Sequence, residues 1–226
     1  MLARMKLAAL PLIAALVLAL PACKTGTPGP GAALDPPVPA NPQPAAAGDF
    51  SFYLLNLSWS PEYCHSHSKA AECTRHSTFV LHGLWPQNDS SEHLENCGNQ
   101  PGPDPSQFSD IYPDPGLLQH EWSTHGTCSG LAPNDFFSAA RTAYQSIKIP
   151  SQLANLSTQT SLSPDQIASL FTQANSSLPR EAVAISCGNN YLTAVEICLD
   201  KSFHPMACPA VVRSCRANSV RIPAPQ

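Results

Sequence analysis

The stretch FSFYLLNLSW, residues 50–59, predicts a β-strand near the start of the folded part of the chain. It is rich in aromatic and aliphatic residues, and Pro61 follows it closely. Along it, Phe52 and Leu54 alternate with a second set of apolar side chains, namely Tyr53, Leu55, Leu57 and Trp59. This alternation assigns the two sets to opposite faces of a sheet.

Further strands and helices follow in mixed order. STFVLHGLWP (77–86) predicts a second strand that ends in a turn at Gly83 and Pro86, and AVAISC (182–187) and YLTAVEICLD (191–200) predict two late strands. Residues 102–116, rich in Pro and Asp, predict a surface loop. These elements favour an α+β fold in which a central antiparallel sheet packs against helices.

Two helices are predicted between these strands. Asn134 is the expected N-cap of the first, whose apolar face carries Phe136, Phe137, Ala140, Tyr144 and Ile147. The second opens with a capping box, in which Ser163 is the N-cap and Gln166 the third helical residue. Its apolar face carries Ile167, Leu170, Phe171 and Ala174.

The amino-terminal residues are typical of an exported protein. Residues 1–22 predict a signal peptide, with Arg4 and Lys6 before an apolar run that is too short to span a bilayer. LPAC (20–23) resembles a bacterial lipobox, which would make Cys23 a lipidation site; the alternative is ordinary cleavage near Ala22, leaving a free thiol. Residues 23–48 then form a tether rich in Pro, Ala and Gly, and residues 49–226 form one domain.

Charge and cysteine content limit the possible functions. Removal of the signal peptide takes away two basic and no acidic residues, which changes the formal net charge from −4 to −6 with histidines neutral. A tight, static nucleic-acid binder would normally be basic. The nine cysteines suit an oxidising compartment, because eight can pair if Cys23 carries a lipid.

A cluster of histidines is the strongest functional signal. HEWSTHGTC (120–128) is similar to a zinc-protease motif but separates His120 and His125 by five residues instead of four. On a regular helix the two imidazoles would point about 140° apart, so we expect no metal site and no cofactor. His65 and His67 form an H-x-H pair with no evident third ligand, which favours a polar loop.

FVLHGLWPQ (79–87) and HEWSTHGTC together resemble the two active-site segments of the ribonuclease T2 family. Secondary matches are LSWSPEYC (57–64) and the spacing of the last four cysteines, so that the resemblance covers about residues 50–215. It implies that His125 is a general base, that His82 is a general acid, and that His120 and Glu121 contact the phosphate. A direct contact between Glu121 and His125 would raise the pKa of that imidazole.

The two motifs also contain tryptophans whose roles can be predicted, and the resemblance implies four disulfides. Trp85 would stack on a nucleobase, with core packing as the alternative, and Trp122 would lie in the core. The implied disulfides are Cys64–Cys73, Cys97–Cys128, Cys187–Cys215 and Cys198–Cys208.

One residue departs from the family pattern. Thr124 stands where the family usually has a lysine, and a hydroxyl cannot neutralise developing phosphorane charge. We expect an enzyme that is weakened but active, unless another cation such as Lys69 or Arg75 reaches the phosphate.

These residues predict a metal-independent endoribonuclease of low base specificity. It would cleave single-stranded RNA by transphosphorylation through 2′,3′-cyclic phosphates. We expect a monomer in the periplasm or at the cell surface, anchored through a lipid on Cys23 or, alternatively, secreted. The competing hypotheses are an inactive RNA-binding or scaffold protein of the envelope, which Thr124 and the acidic charge favour, and a metal-dependent hydrolase.

Overall fold

A six-stranded sheet forms the centre of the computed structural model, which describes residues 47–75, 77–90 and 94–225. The strands are β1 (Phe52–Trp59), β2 (Phe79–Gln87), β3 (Thr160–Leu162), β4 (Val183–Gly188), β5 (Tyr191–Leu199) and β6 (Val220–Ile222). Their order is β2-β1-β5-β6-β3, and β4 also pairs with β5. All pairings are antiparallel except the single parallel pair between β5 and β6.

Five α-helices and four short 3₁₀-helices accompany the sheet in the described ranges. The α-helices are α1 (Ser60–Ser66), α2 (Pro115–Thr124), α3 (Pro133–Ser146), α4 (Ser151–Ala154) and α5 (Pro164–Ala174). The 3₁₀-helices are Ala71–Arg75, Pro105–Phe108, Gly126–Cys128 and Arg180–Ala182. The prediction of an antiparallel sheet packed with helices is therefore confirmed.

Strand β1 is buried on both faces, as its sequence predicts. Tyr53, Leu55, Leu57 and Trp59 belong to the main core, which also contains side chains of α2, α3 and α5. Phe52 and Leu54 join Cys198 in a smaller cluster. Burying one side chain such as Leu55 contributes about 1.5–3 kcal/mol, so this strand anchors both layers.

Strand β2 continues beyond the predicted turn. Asn56 pairs with Gly83 and Leu57 pairs with Leu81, which leaves His82 as the extra residue of a β-bulge. The turn expected at Gly83 and Pro86 is therefore wrong: the bulge accommodates the glycine. Pro86 is tolerated because β2 lies at the edge of the sheet, where a missing N–H costs no ladder bond.

The predicted N-cap is observed in helix α5 but not in helix α3. α5 has the predicted capping box between Ser163 and Gln166. α3 has Ala132 as its N-cap and Pro133 as its first residue, so the expected Asn134 cap is wrong. Proline is favoured at the first helical position, since its missing N–H has no intrahelical partner there, and this preference sets the boundary.

The segment predicted as a loop, residues 102–116, is partly helical. It holds the 3₁₀-helix Pro105–Phe108, and α2 begins within it at Pro115. Asp114 caps α2 by accepting a hydrogen bond from the Gly116 amide at 2.8 Å. The two late strands occur as predicted and form the β4–β5 hairpin, whose turn residues Asn189 and Asn190 both have positive φ.

The expected features of the amino terminus lie outside the described residues. These are the signal peptide (1–22), Cys23 and the tether as far as residue 46. Within the described ranges, none of the helices is both long and apolar enough to cross a bilayer.

Four disulfides link the eight cysteines of the domain in the pairs that the resemblance implies: Cys64–Cys73, Cys97–Cys128, Cys187–Cys215 and Cys198–Cys208. Cys97–Cys128 fastens the segment after α2 to residues 94–100, together with a hydrogen bond from the Asn96 amide to the Thr124 carbonyl. This crosslink holds the end of α2 in place.

Candidate active site

The end of helix α2 brings the two histidines of HEWSTHGTC together. The last helical residue is Thr124, and His125 is the C-cap, with φ −114° and ψ −47°. The chain then enters a 3₁₀-helix at Gly126, where a Cβ atom would overlap the Trp122 ring. His125 thus lies at the end of the regular helix, and its ring centroid lies 6.4 Å from that of His120.

This geometry corrects the expected divergence of the histidines. His120, Glu121 and His125 each have one nitrogen or oxygen atom that could bind a metal ion, and these three atoms lie within 4.8 Å of one another. The angle of about 140° assumed an uninterrupted helix, and that assumption fails at residue 125. The spacing of five therefore does not exclude a shared ligand.

Glu121 is the buried centre of the cluster. Its side chain is 1% exposed, and its Oε2 atom accepts a hydrogen bond of 2.7 Å from the indole N–H of Trp85. Its Oε1 atom lies 3.6 Å from His82 Nε2 and makes no hydrogen bond. Burial raises the pKa of Glu121 to about 8, although the Trp85 hydrogen bond opposes the shift. The carboxyl group is consequently neutral at neutral pH.

His125 is buried and neutral. Burial lowers its pKa to about 4, and the charges of His120 and His82 lower it further. The expected rise in this pKa through Glu121 is therefore wrong, because desolvation of the buried imidazole dominates its pKa. His125 Nδ1 is a buried nitrogen without a hydrogen-bond partner.

His82 reaches the cluster from the bulge in β2. Its Nδ1 atom lies 3.0 Å from the hydroxyl of Ser58 on β1, which directs Nε2 towards Glu121. Desolvation, followed by the charge of His120, lowers the pKa of His82. Ser58 gives no signal in the sequence, because its contact depends on the register of two strands.

Trp85 lies between the two imidazoles. Its ring centroid is 5.3 Å from that of His82 and 5.0 Å from that of His125, so both histidines flank one indole. The half-buried indole also packs against the small cluster of Phe52 and Leu54. Base stacking by Trp85 stays a prediction, and its bond to Glu121 gives it a positioning role that the sequence did not indicate.

Gly83 allows strand β2 to approach helix α2. A Cβ atom at this position would overlap both the Glu121 carboxyl group and the Trp85 indole nitrogen. The hydrogen bond between those two side chains therefore occupies the space that the glycine leaves.

The two cations that could have replaced the missing lysine, Lys69 and Arg75, make other contacts. Arg75 donates to the carbonyls of Ser109 and Asp110, which holds it to a loop. Lys69 lines a shallow cavity beside His67. Thr124 has its hydroxyl 3.5 Å from His120 Nδ1, and the charges that act on His82 and His125 are histidine charges.

A cavity of about 350 Å³ opens beside His82 and His120. Its wall combines apolar side chains with two carboxyl groups, and includes Tyr63, Val80, Leu81, Leu117, Glu72 and Asp114. A cavity of this size and character can hold a flat, mostly apolar ring with polar edges.

The H-x-H pair lies apart from the cluster. His65 is in helix α1 and His67 caps it, so the expected loop is wrong. The His67 ring stacks on Tyr63 at 4.2 Å between centroids. Trp122 is buried as predicted, and its indole donates to the Gln100 carbonyl at 2.7 Å.

Comparison with known proteins places these residues in a family context. Residues 50–208 match the model of the Ribonuclease T2 family. The chain is 40% identical over 116 residues to a ribonuclease of Aeromonas hydrophila, a match that covers 48% of this chain and 51% of that protein. It is 28% identical over 193 residues to ribonuclease DdI of Dictyostelium discoideum, covering 78% and 86%. The chain thus spans about half the length of the Aeromonas relative.

Solved structures show the same fold. An RNase-related protein from Calystegia sepium superposes with a TM-score of 0.64 at 24% identity, covering 78% of this chain and 98% of that one. RNase NT in complex with 5′-AMP superposes with a TM-score of 0.57 at 22% identity, also covering 78% and 98%.

Proposed function

The chain belongs to the ribonuclease T2 family, and we propose that it is a metal-independent endoribonuclease of low base specificity. It cleaves single-stranded RNA by transphosphorylation. The observation that carries this proposal is the convergence of two imidazoles and one buried carboxyl group around the indole of Trp85, with the ring of His120 beside that of His125.

The reaction requires a base and an acid on opposite sides of one phosphorus atom. His125, neutral above about pH 4, accepts the proton of the ribose 2′-hydroxyl, whose oxygen then bonds to phosphorus. His82 protonates the departing 5′ oxygen as the P–O5′ bond breaks. The products are a 2′,3′-cyclic phosphate and a free 5′-hydroxyl, and water subsequently opens the cyclic ester to a 3′-phosphate.

Glu121 and His120 stabilise the charge that develops on the phosphate. A carboxyl group with a pKa of about 8 is protonated under working conditions, so it can donate a hydrogen bond to a phosphate oxygen without repelling it. The exposed His120 adds a second donor. These two groups take over part of the role of the cation that Thr124 cannot provide.

The cavity beside His82 and His120 supports a single-stranded substrate. A nucleobase next to the scissile bond must leave its stack to enter this cavity, which an A-form duplex resists. Its largely apolar wall recognises the face of a ring, which every base has, and this supports low base specificity.

A second candidate function rests on Thr124. Without the usual lysine, the protein would be a catalytically weakened or inactive RNA-binding or scaffold protein of the envelope. The geometry favours the enzyme, because the base, the acid and the neutral carboxyl group are all present.

Export of the protein is part of the proposal. Four disulfides suit an oxidising compartment, and a lipid on Cys23 would anchor a monomeric domain at the membrane through the tether of residues 24–48. Secretion without an anchor is the alternative. Metabolic labelling with a fatty acid, compared between the wild type and Cys23→Ser, tests the anchor: label in the variant would contradict it.

Cleavage of RNA homopolymers in EDTA tests the enzymatic proposal. We expect all four homopolymers to be cleaved and to yield cyclic phosphate ends, and we expect His82→Ala and His125→Ala each to lose about 10²–10⁴-fold in rate. Products with 5′-phosphate ends, or complete loss of activity in the chelator, would overturn it.

A further inference from the structure

A second, shallow cavity of about 350 Å³ adjoins the cavity beside His82 and His120. Its wall consists of Tyr63, Ser66, His67, Ser68, Lys69 and Ala70. Tyr63 and Ala70 also line the cavity beside His82, so the two cavities share a wall. A polymer that leaves the cavity beside His82 across this wall enters the second cavity.

The tyrosine in the shared wall can serve as a stacking platform. Tyr63 is 39% exposed, and its ring lies parallel to the imidazole of His67, with 4.2 Å between the centroids and 5° between the planes. His67 Nδ1 lies 3.1 Å from the Tyr63 carbonyl oxygen and 2.9 Å from the Ser66 hydroxyl, which fixes the imidazole. An aromatic ring that is supported by a neighbour and still exposed suits a nucleobase, because every base has a flat face.

Lys69 places a free cation in the wall of the second cavity. Its side chain is exposed and, within the described ranges, forms no hydrogen bond or ion pair. The wall of the cavity beside His82 instead includes the carboxyl groups of Glu72 and Asp114. A phosphate group is therefore repelled by the wall beside His82 and attracted by the wall that contains Lys69.

The proposed chemistry gives the direction of the bound chain. His82 protonates the departing 5′ oxygen, which belongs to the nucleotide on the 3′ side of the scissile bond. The cavity beside His82 therefore receives the base of this nucleotide. The ribose of the same nucleotide carries the next phosphate, so the chain continues out of this cavity in the 3′ direction.

We propose that the second cavity binds a further nucleotide of single-stranded RNA, the second one on the 3′ side of the scissile bond. This inference rests on the proposed nuclease function. Tyr63 stacks on the base of this nucleotide, and Lys69 binds the phosphate that joins it to its predecessor. Stacking does not distinguish one base from another, so this subsite favours longer chains and leaves the base specificity low.

Steady-state kinetics on two short substrates test the subsite. These are a dinucleotide and a trinucleotide of adenine in which only the first sugar is ribose, so that each has a single cleavable bond. We expect the third nucleotide to raise kcat/KM of the wild type by about 5–150-fold, which is the usual contribution of one stacked base. Tyr63→Ala and Lys69→Ala should each lower this gain by at least about threefold. Because both substrates fill the cavity beside His82, the ratio of their kcat/KM values cancels any change there.

The phosphate contact predicts a salt effect. For the trinucleotide, the slope of log kcat/KM against log salt concentration should be steeper in the wild type than in Lys69→Ala by about 0.7. The matched control is Lys148→Ala, which removes the same charge from an exposed residue between α3 and α4, outside both cavities. This control should keep the gain and the slope of the wild type.

The outcomes separate the subsite from the nuclease. Equal kcat/KM values of the wild type on both substrates, or equal losses of the gain in Lys69→Ala and Lys148→Ala, overturn the subsite and leave the nuclease standing. A gain that survives in Tyr63→Ala overturns the stacking role. Absence of cleavage of both substrates overturns the proposed function. Fluorescence titration with the all-deoxy dinucleotide and trinucleotide then decides the subsite: equal affinities for the two overturn it, and a preference for the trinucleotide that Lys69→Ala reduces supports it.

Discussion

The hydrogen bond from Trp85 to Glu121 is the contact whose loss should affect the site most selectively. Its length is 2.7 Å, and its acceptor belongs to a carboxyl group that is 1% exposed. A Trp85→Phe substitution removes the N–H donor but keeps an aromatic ring. The carboxyl group then loses the bond that orients its other oxygen towards His82.

The size of the effect follows from the burial of the acceptor. Leaving a buried acceptor without its partner costs about 1–3 kcal/mol, and about 1.4 kcal/mol corresponds to tenfold in rate. If the bond is needed to present the Glu121 proton to the phosphate, Trp85→Phe should lower kcat by about 10–100-fold. KM should change less, because the cavity wall is intact.

Steady-state kinetics on an RNA homopolymer, with urea unfolding alongside, measure both effects. Trp122→Phe is the matched control: its indole also donates at 2.7 Å, but to the backbone carbonyl of Gln100. We expect this control to lose about 1 kcal/mol of stability and to keep the kcat of the wild type. An unchanged kcat in Trp85→Phe, or equal losses of kcat in both variants, would refute the positioning role.

The remaining predictions concern protonation and charge. The pH profile of kcat/KM should be bell-shaped. Activity should rise near pH 4 as His125 loses its proton, and the decline on the alkaline side should begin below pH 6.5, since the pKa of His82 is lowered from that value. An optimum above pH 7 would contradict this prediction. Thr124→Lys should raise kcat by about 10–100-fold on RNA, and an unchanged or lower kcat would show that the position has another role. Glu121→Gln keeps a neutral donor, so its kcat should stay within about tenfold of the wild type, whereas Glu121→Ala should lose more. The raised pKa of Glu121 stabilises the fold of the wild type below about pH 4.5, and this stabilisation is lost as the pH rises towards about 8. Glutamine does not titrate, so between pH 5 and pH 8 the free energy of unfolding of Glu121→Gln should rise by about 2–4 kcal/mol relative to that of the wild type, as measured by urea unfolding.

Periodicity in the sequence was sufficient to predict the strand and the helices whose side chains form the core. The alternation in β1 and the capping box of α5 depend on neighbouring residues alone, and both predictions are confirmed. The Asn134 cap failed because two local preferences competed, and the preference for Pro133 at the first helical position prevailed. The strand β2 ran past Gly83 because a bulge, which depends on the partner strand, absorbed the glycine.

The geometry of the site could not be predicted from neighbouring residues alone. The motif brought His120, Glu121 and His125 to attention, but their relative directions depend on packing between elements. His125 leaves the helix where Gly126 meets the Trp122 ring, and Glu121 bonds to Trp85 across the contact between α2 and β2. Both contacts join residues whose distance in space the sequence does not give.

The division of labour between His82 and His125 is the central claim, and a substrate with an activated leaving group tests it most directly. Nitrophenolate departs from uridine 3′-(4-nitrophenyl phosphate) without a proton, whereas the nucleoside leaving group of a dinucleotide needs one. On the dinucleotide, His82→Ala and His125→Ala should each lose about 10²–10⁴-fold in kcat/KM. On the nitrophenyl ester, we predict that His82→Ala recovers to within about tenfold of the wild type and that His125→Ala does not, because the 2′-hydroxyl still requires a base. Equal losses of both variants on both substrates would contradict the account.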